Sequence, residues 1–439
     1  MTPVPGPADR RAGASRLGIF SWCLYDWANS AFNTVIGTFV FSVYFARGIW
    51  GDATEGSSAW AFAIGASGVA VAVLAPIAGA VADRTGDRRP WLAVLTAVTV
   101  IATALLWFAE PDRAWIAYAL VLVVLASIAF ELAGVFYNAM LPAVAPPGMV
   151  GRVSGWAWGL GYIGGLACLA AALLGLIGLG ETAPLIGLPT ENQEHVRATA
   201  LLVAGWFALF ALPLFLFTPD RPASGLPARR AVREGVRTVI DTLKRLPQHG
   251  QVLRFLIASA LYRDGLATLF AVGGLYAAGT FGMSVEQILV FAIGLNVTAG
   301  LGAAGFAFVD DRIGPKPTVL IALAGLIALG APLLMLSDPA WFVILALGLG
   351  LFVGPAQAAS RSLMARLAPE ELTTEFFGLY ALAGKSTTFV GPLAFGAATA
   401  LFDSQRAGMA TILIFLAAGA LVLLTVRQPP PAEVAPVPA

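Results

Sequence analysis

Long apolar runs alternate with short charged clusters along almost the whole chain. Each run exceeds the ~18 residues at which an apolar stretch is read as a membrane-spanning helix. The runs do not show the regular apolar–polar alternation of strands in a membrane barrel. The pattern therefore predicts an all-α polytopic membrane protein. Its twelve transmembrane helices would cover roughly residues 18–46, 58–82, 91–109, 114–141, 153–178, 199–217, 255–279, 285–308, 318–336, 340–363, 376–400 and 407–426.

The distribution of arginine and lysine predicts the orientation of these helices. Four of the 26 basic residues fall on the side of the membrane opposite the two termini: Arg47, Arg113, Arg197 and Arg406. Three more lie within spans: Arg263, Arg361 and Lys385. All the others fall on the side of the two termini, which the positive-inside rule makes cytoplasmic. The first apolar run is too long for a cleavable signal and contains Asp26, so we expect it to remain as a helix.

Composition narrows the class of protein further. The chain of 439 residues is 58% hydrophobic and 12% charged, whereas soluble domains carry about 25% charged residues. A net charge of +1 provides no basic surface for nucleic acid. The two cysteines, Cys23 and Cys168, lie in separate apolar runs, so the sequence indicates no disulfide, metal or cofactor site. It also lacks a phosphate-binding loop and a catalytic set. We expect a membrane protein that is not an enzyme, with the lipid bilayer and a small solute as its partners.

A polar stretch at about 218–254 divides six predicted spans from six. The predicted organisation is a cytoplasmic tail (1–17), a six-helix bundle (18–217), a cytoplasmic linker (218–254), a second six-helix bundle (255–427) and a disordered tail (428–439). In the linker, apolar residues recur at helical spacing among bases: Val232, Val236, Ile240 and Leu243 among Arg229, Arg230, Arg233, Arg237, Lys244 and Arg245. This is typical of an amphipathic helix on an anionic leaflet. A solvated linker helix is the alternative.

Two loops repeat one motif in corresponding places of the two halves. The second span is followed by Asp83-Arg84-Thr85-Gly86 and then by Arg88, and the eighth by Asp311-Arg312-Ile313-Gly314 and then by Lys316. Such repeats predict two pseudo-symmetric six-helix bundles that face each other.

Twelve spans, a central cytoplasmic loop and paired Asp-Arg-x-Gly loops resemble the major facilitator superfamily. The resemblance implies that the motif aspartate caps a neighbouring helix, that its arginine joins a charge relay, and that the protein is a monomer. It assigns a gating role to Asp83, Arg84, Gly86, Arg88, Asp311, Arg312 and Gly314. The alternative is that the basic residues only anchor the loops inside the cell, but this does not explain the aspartates and glycines.

A narrower resemblance rests on five segments in both halves. They are Tyr25-Asp26-Trp27-Ala28-Asn29-Ser30-Ala31-Phe32, Phe136 to Pro142, Trp158 to Gly165, Gln357 to Ser362, and Phe376 to Lys385. They are similar to motifs of the vacuole effluxer branch, the autophagy-linked amino-acid permeases and their bacterial relatives. One position departs from the resemblance, since those relatives tend to have a small neutral polar residue where this chain has Arg263.

Five charged residues stand well inside predicted spans: Asp26, Glu131, Arg263, Asp264 and Lys385. A charge at the bilayer centre costs at least ~2.5–3.5 kcal/mol, so these residues are functional candidates. At ~1.5 Å per residue, the charges of four helices lie at a similar depth, about 12–15 Å from the cytoplasmic ends. The alternative is that they form static salt bridges between helices. Arg361 is expected to lie within a turn of its helix end, where it could reach the interface.

Polar neighbours extend these positions into stripes along the helices. Asn29 and Asn33 follow Asp26 on one helical face, and Asn138 follows Glu131. Gln357 lies on the tenth span, which lines the central cavity in the superfamily. The predicted site for substrate and coupling proton therefore comprises Asp26, Asn29, Asn33, Glu131, Asn138, Arg263, Asp264, Gln357 and Lys385.

These residues predict a secondary active transporter of the cytoplasmic membrane that works by alternating access. Charges of both signs suit an amino acid or similar zwitterion. Asp26 is the first candidate for a proton carrier because burial raises the pKa of a carboxyl group, and Arg263 or Lys385 could replace the proton. Glu131 and Asp264 are alternative carriers. Another hypothesis is efflux of amphipathic drugs or lipids past Trp27, Tyr137, Trp158 and Tyr162. A third is a receptor or assembly factor that does not transport.

Overall fold

The computed structural model describes residues 14–178, 183–222, 224, 226 and 228–427. Most of the predicted N-terminal tail (1–13) and the predicted C-terminal tail (428–439) lie outside this range. The side chains of Arg229, Val232 and Arg245 in the linker also lie outside it.

The described chain is helical throughout, and its helices follow the predicted spans closely. In the first half they are α1 (Arg16–Ile49), α2 (Ala53–Thr85), α3 (Arg89–Phe108), α4 (Arg113–Val144), α5 (Val150–Ile177) and α6 (Glu194–Phe217). The linker forms α7 (Ala228–Arg245). The second half contains α8 (Gly250–Phe281), α9 (Val285–Ile313), α10 (Pro315–Leu333), α11 (Pro339–Leu367), α12 (Thr373–Thr387), α13 (Val390–Phe402) and α14 (Gln405–Leu424). Among the described residues, 11 helices are long and apolar enough to cross a membrane.

One predicted span, 376–400, is not a single helix. It is broken at Thr388 and Phe389 into α12 and α13, each too short to count as a span by itself. The physical reason is Pro392, which lacks the N–H that would bond to the carbonyl of Thr388 in a continuous helix. The structure therefore differs from the sequence prediction in this segment.

The same packing scheme occurs in both halves. In the first half α4 packs against α2 and α3, while α6 packs against α1 and α3. In the second half α11 packs against α9 and α10, while α14 packs against α8 and α10. Each half buries its own apolar side chains, such as Phe41 and Phe45 in the first and Leu323 and Leu326 in the second. This repetition is what two pseudo-symmetric bundles require.

The halves meet along α2 with α12 and along α5 with α9. Small residues permit close approach there: at Gly79 and Gly378 an added Cβ would collide with backbone of the opposite helix, and at Gly155 with Ala303 and Ala307. These contacts lie in the helix segments that lead to the Asp83 and Asp311 loops. In contrast, α13 packs on α8 and α14. The two halves are therefore closed against each other at the end that carries the motif loops.

The linker helix α7 lies against α2, where Gly235 contacts Val81. Its face with Val236, Ile240 and Leu243 is exposed, as an amphipathic helix would require.

Candidate functional site

Arg361 of α11 and Asp26 of α1 form a salt bridge across the two halves, with 3.0 Å between Nη1 and Oδ2. The Arg361 side chain is only 4% exposed. The expectation that Arg361 could reach the interface is wrong, because α11 continues to Leu367 rather than ending at 363. The additional turn places the guanidinium inside the protein. Neither Arg263 nor Lys385, the predicted counter-charges of Asp26, occupies this position.

Several further groups surround the Arg361 guanidinium. It donates to Asn138 Oδ1 at 3.2 Å and to both the hydroxyl and the carbonyl oxygen of Ser154, at 2.9 and 2.7 Å. The ring of Trp22 lies 5.0 Å from the guanidinium carbon, and that of Tyr137 lies 5.7 Å from it. Arg361 therefore connects α11 to three helices of the first half, α1, α4 and α5.

A second salt bridge joins Glu131 of α4 to Lys385 of α12, with 2.6 Å between Oε1 and Nζ. Both side chains are about one-third exposed, at 33% for Glu131 and 29% for Lys385. The predicted stripe along α4 thus contributes to both bridges, through Glu131 and through Asn138. Two carboxylates of the first half are paired with two cations of the second.

Arg263 of α8 has different surroundings. Its Nη1 donates to the carbonyl oxygen of Tyr380 at 3.2 Å, and its guanidinium carbon lies 4.3 Å from the centre of the Tyr380 ring. A Cβ at Gly384 would lie 2.8–3.0 Å from the guanidinium atoms, so the absence of a side chain there leaves room for Arg263. The guanidinium lies against the backbone and an aromatic ring of α12.

Asp264 points away from these groups and toward the broken helix. Its Oδ2 accepts a hydrogen bond from the backbone N–H of Gly391 at 2.8 Å, in the first turn of α13. This is the position of a helix cap, where a carboxylate satisfies a free N–H group. Arg263 and Asp264 therefore hold opposite sides of the break, the former at α12 and the latter at α13.

The remaining predicted polar residues line this region to different degrees. Asn29 donates to Asp26 at 3.4 Å, and Gln357 donates to the hydroxyl of Tyr162 at 3.1 Å, which links α11 to α5. Asn33 is exposed. Among the aromatic residues considered for amphipathic substrates, Tyr137 is buried and stacked on Trp22.

Asp83, at the end of α2, caps α12 of the opposite half. It accepts from the backbone N–H of Glu375 at 2.9 Å and from the hydroxyl of Thr374 at 2.6 Å. Arg88 donates to Asp83 at 3.4 Å and to Thr374 at 2.7 Å. Burial lowers the pKa of the Arg88 guanidinium from its ordinary value, and the Asp83 carboxylate opposes this shift. The buried pair fixes α2 to α12.

The loop after α9 repeats this arrangement with the halves exchanged, because a residue of the second half caps a helix of the first. Asp311 accepts from the backbone N–H of Gly151 at 2.8 Å and forms a 2.6 Å salt bridge with Arg152, so it caps α5. Gly86 and Gly314 have φ angles of 89° and 93°, a region that favours glycine. The arginines of the two motifs differ in their contacts: Arg84 forms a salt bridge with Glu234 of α7, whereas Arg312 is exposed.

The sequence interpretation missed Arg361 and Ser154 as members of the site. Arg361 belongs to the segment Gln357 to Ser362 that carries the narrower resemblance, so this segment was the available signal. Ser154 lies among the glycines of α5 that face α9, and its sequence surroundings indicate packing rather than charge.

The helical arrangement is the fold of the major facilitator superfamily. The structure matches the transporter FucP in its outward conformation with a TM-score of 0.74 at 13% identity, over 94% of this chain and 100% of FucP. It matches the proton:xylose symporter XylE with a TM-score of 0.70 at 14% identity, over 94% of this chain and 96% of XylE. At these levels of identity the likeness shows that the chain shares the fold of this superfamily.

The chain belongs to the family described as "Vacuole effluxer Atg22 like", whose pattern matches residues 48–149 and 148–430. The uncharacterized MFS-type transporter YxiO of Bacillus subtilis is 27% identical over 412 residues, 93% of this chain and 94% of YxiO. Autophagy-related protein 22 of Eremothecium gossypii is 26% identical over 246 residues, 52% of this chain and 48% of that protein. YxiO is named as a transporter, and the family is described as an effluxer.

Proposed function

We propose that this protein is a secondary active transporter that moves an amino acid or a similar zwitterion by alternating access, coupled to protons. The observation that carries the proposal is the pair of salt bridges between the halves, Asp26–Arg361 and Glu131–Lys385. In each bridge the carboxylate can bind a proton or a cationic group in place of its partner. The basic residue can bind an anionic group of a solute.

The Asp26–Arg361 bridge supports the coupling to protons. In the closed arrangement Arg361 ties α11 to three helices of the other half. A proton on Asp26 removes the charge that Arg361 faces, so the attraction between the halves weakens. Protonation then favours separation at the end with the motif loops, which the positive-inside rule makes cytoplasmic. Asp26 is thus the proposed proton carrier, and Asp83, Arg88 and Asp311 hold the closed state.

The Glu131–Lys385 bridge supports a zwitterionic substrate. Both side chains are partly exposed, so a solute can approach them. An ammonium group can replace Lys385 at Glu131, while a carboxylate can replace Glu131 at Lys385. The description of the family, a vacuole effluxer, is consistent with movement of small metabolites. We place the protein in a cytoplasmic membrane, as a monomer.

Uptake by purified protein in liposomes tests the proposal. A pH gradient should drive uptake of at least one labelled amino acid, and Asp26→Asn should abolish the dependence on the gradient while exchange of solute continues. Arg254→Gln is a matched control on an exposed base at the start of α8. Gradient-driven uptake that is unchanged in Asp26→Asn would contradict the role of Asp26, and no flux of any amino acid would contradict the substrate class.

A further inference from the structure

Three cations lie inside the spans predicted from the sequence, and among the described residues only Arg263 of these three has no carboxylate partner. Arg361 pairs with Asp26, and Lys385 pairs with Glu131. Asp264, the carboxylate next to Arg263 in sequence, accepts a hydrogen bond from the backbone N–H of Gly391 instead. The two bridges are each neutral, and no described carboxylate lies in ion-pair contact with Arg263.

The Arg263 guanidinium is held in place, but most of its N–H donors have no acceptor among the described residues. The Tyr380 carbonyl oxygen accepts a hydrogen bond from Arg263 Nη1 at 3.2 Å. The centre of the Tyr380 ring lies 4.3 Å from the guanidinium carbon. Gly384 gives it space against the backbone of α12. A guanidinium has five N–H donors, and among the described residues the Tyr380 carbonyl is the only acceptor that it contacts. N–H donors of Arg263 therefore remain free to bind a ligand, and contacts with α12 fix the orientation of the guanidinium.

A fixed, partly exposed guanidinium is suited to one type of ligand group. Its planar pair of N–H donors matches the two oxygens of a carboxylate, which it binds by two parallel hydrogen bonds. The next residue of α12 after Gly384 is Lys385, which is bridged to Glu131. Arg263 and the Glu131–Lys385 bridge therefore both contact the segment of α12 around Gly384 and Lys385.

We infer that Arg263 binds the carboxylate of the transported solute and thereby restricts the substrate to molecules with a free carboxylate. This inference rests on the proposed transport function and deepens it, because it names the group that the site selects. Tyr380 and Gly384 are positioning residues that present the guanidinium. Amides, esters and simple amines lack the two negative oxygens and are excluded.

Ligand binding to the purified full-length protein tests the inference, because a ligand of the folded form raises its unfolding temperature. The probes are the standard amino acids, each with its carboxamide, and a series of monocarboxylates without an ammonium group. The wild type should bind acids about tenfold or more tightly than the matched carboxamides, because a hydrogen-bonded charge is lost in the amide. Equal affinity for acid and carboxamide would overturn the inference.

Variants locate the preference at Arg263. Arg263→Gln should lose the preference for acids, Arg263→Lys should retain only part of it, and Gly384→Ala should weaken it with the charge unchanged. Arg254→Gln, on the same helix, should bind as the wild type does. Preserved selectivity in folded Arg263→Gln would overturn the assignment. If Gln at this position prevents folding, the acid–amide comparison in the wild type and in Gly384→Ala still decides it.

The outcomes separate this inference from the transport proposal. Amino-acid flux that does not depend on Arg263 would contradict the inference and leave the transport proposal standing. Binding of monocarboxylates that depends on Arg263, without binding or flux of any amino acid, would support Arg263 and contradict the zwitterionic substrate.

Discussion

The Asp26–Arg361 and Glu131–Lys385 bridges make the same kind of connection in different surroundings. Each joins a carboxylate of the first half to a cation of the second. Asp26 and Arg361 are 15% and 4% exposed, and Arg361 also bonds to Asn138 and Ser154. Glu131 and Lys385 are 33% and 29% exposed. The first bridge is enclosed by protein, whereas the second is accessible to water.

This difference separates two roles that the sequence alone assigned to one group of charges. Removal of one partner from a buried pair leaves a charge without solvent, at a cost of about 3–5 kcal/mol. Removal of one partner from an exposed pair costs about 0–1 kcal/mol. We therefore assign control of the closed state to the buried bridge and contact with solute to the accessible one.

The largest effect is expected from Arg361→Gln. The variant leaves Asp26 buried without its counter-charge, so stability should fall by about 3–5 kcal/mol and uptake should be lost. Thermal unfolding of the purified protein measures the first effect. The double variant with Asp26→Asn should recover part of the stability, because the unpaired charge is then gone. Wild-type stability of Arg361→Gln would show that the bridge does not hold the halves together.

A smaller effect is expected at the motif loops, which hold the same closed state through helix caps. Asp83→Asn should cost about 1–2 kcal/mol, because the α12 cap is weakened while Arg88 keeps its bond to Thr374 and the nearby Asp220 carboxylate. Asp311→Asn, which weakens the corresponding cap of α5, is the matched comparison. Labelling of cysteines introduced into α2 and α12 near the motif loops should increase in both variants. Unchanged labelling would contradict a gating role.

Lys385→Met should change stability by no more than about 1 kcal/mol, because Glu131 remains accessible to water. The apparent affinity for solute should nevertheless fall, since the proposed contact is lost. Unfolding temperature and the concentration dependence of uptake separate the two quantities. A loss of stability as large as that of Arg361→Gln would erase the distinction between the bridges.

The smallest effect is expected for Arg84→Gln. Its bridge to Glu234 joins two partly exposed side chains at the surface of α7. Arg230, and to a smaller extent Arg84, lower the pKa of the Glu234 carboxyl group from its ordinary value. Their contribution is therefore present at neutral pH and is lost as the pH falls through the lowered pKa. The unfolding temperature at pH 7 should match the wild type, and a marked decrease would contradict this.

The sequence was sufficient to predict the spans and the motif loops, because lipid requires long apolar helices and the loop residues recur in both halves. It did not indicate which charges pair. Arg361 is buried only because Trp22, Tyr137 and Ser154 of the other half cover it, and these contacts join distant parts of the chain. The break at Thr388 has a local cause, Pro392, but the orientation of Asp264 toward α13 depends on that break.

Distances between spin labels at the predicted cytoplasmic end test the central claim most directly, namely that the Asp26–Arg361 bridge holds the halves closed there. The labels are placed at the exposed positions Ala143 and Glu371, one in each half. At neutral pH the wild type should show one short distance. Asp26→Asn should add a population with a distinctly longer distance. An identical distance distribution in both proteins would contradict the claim.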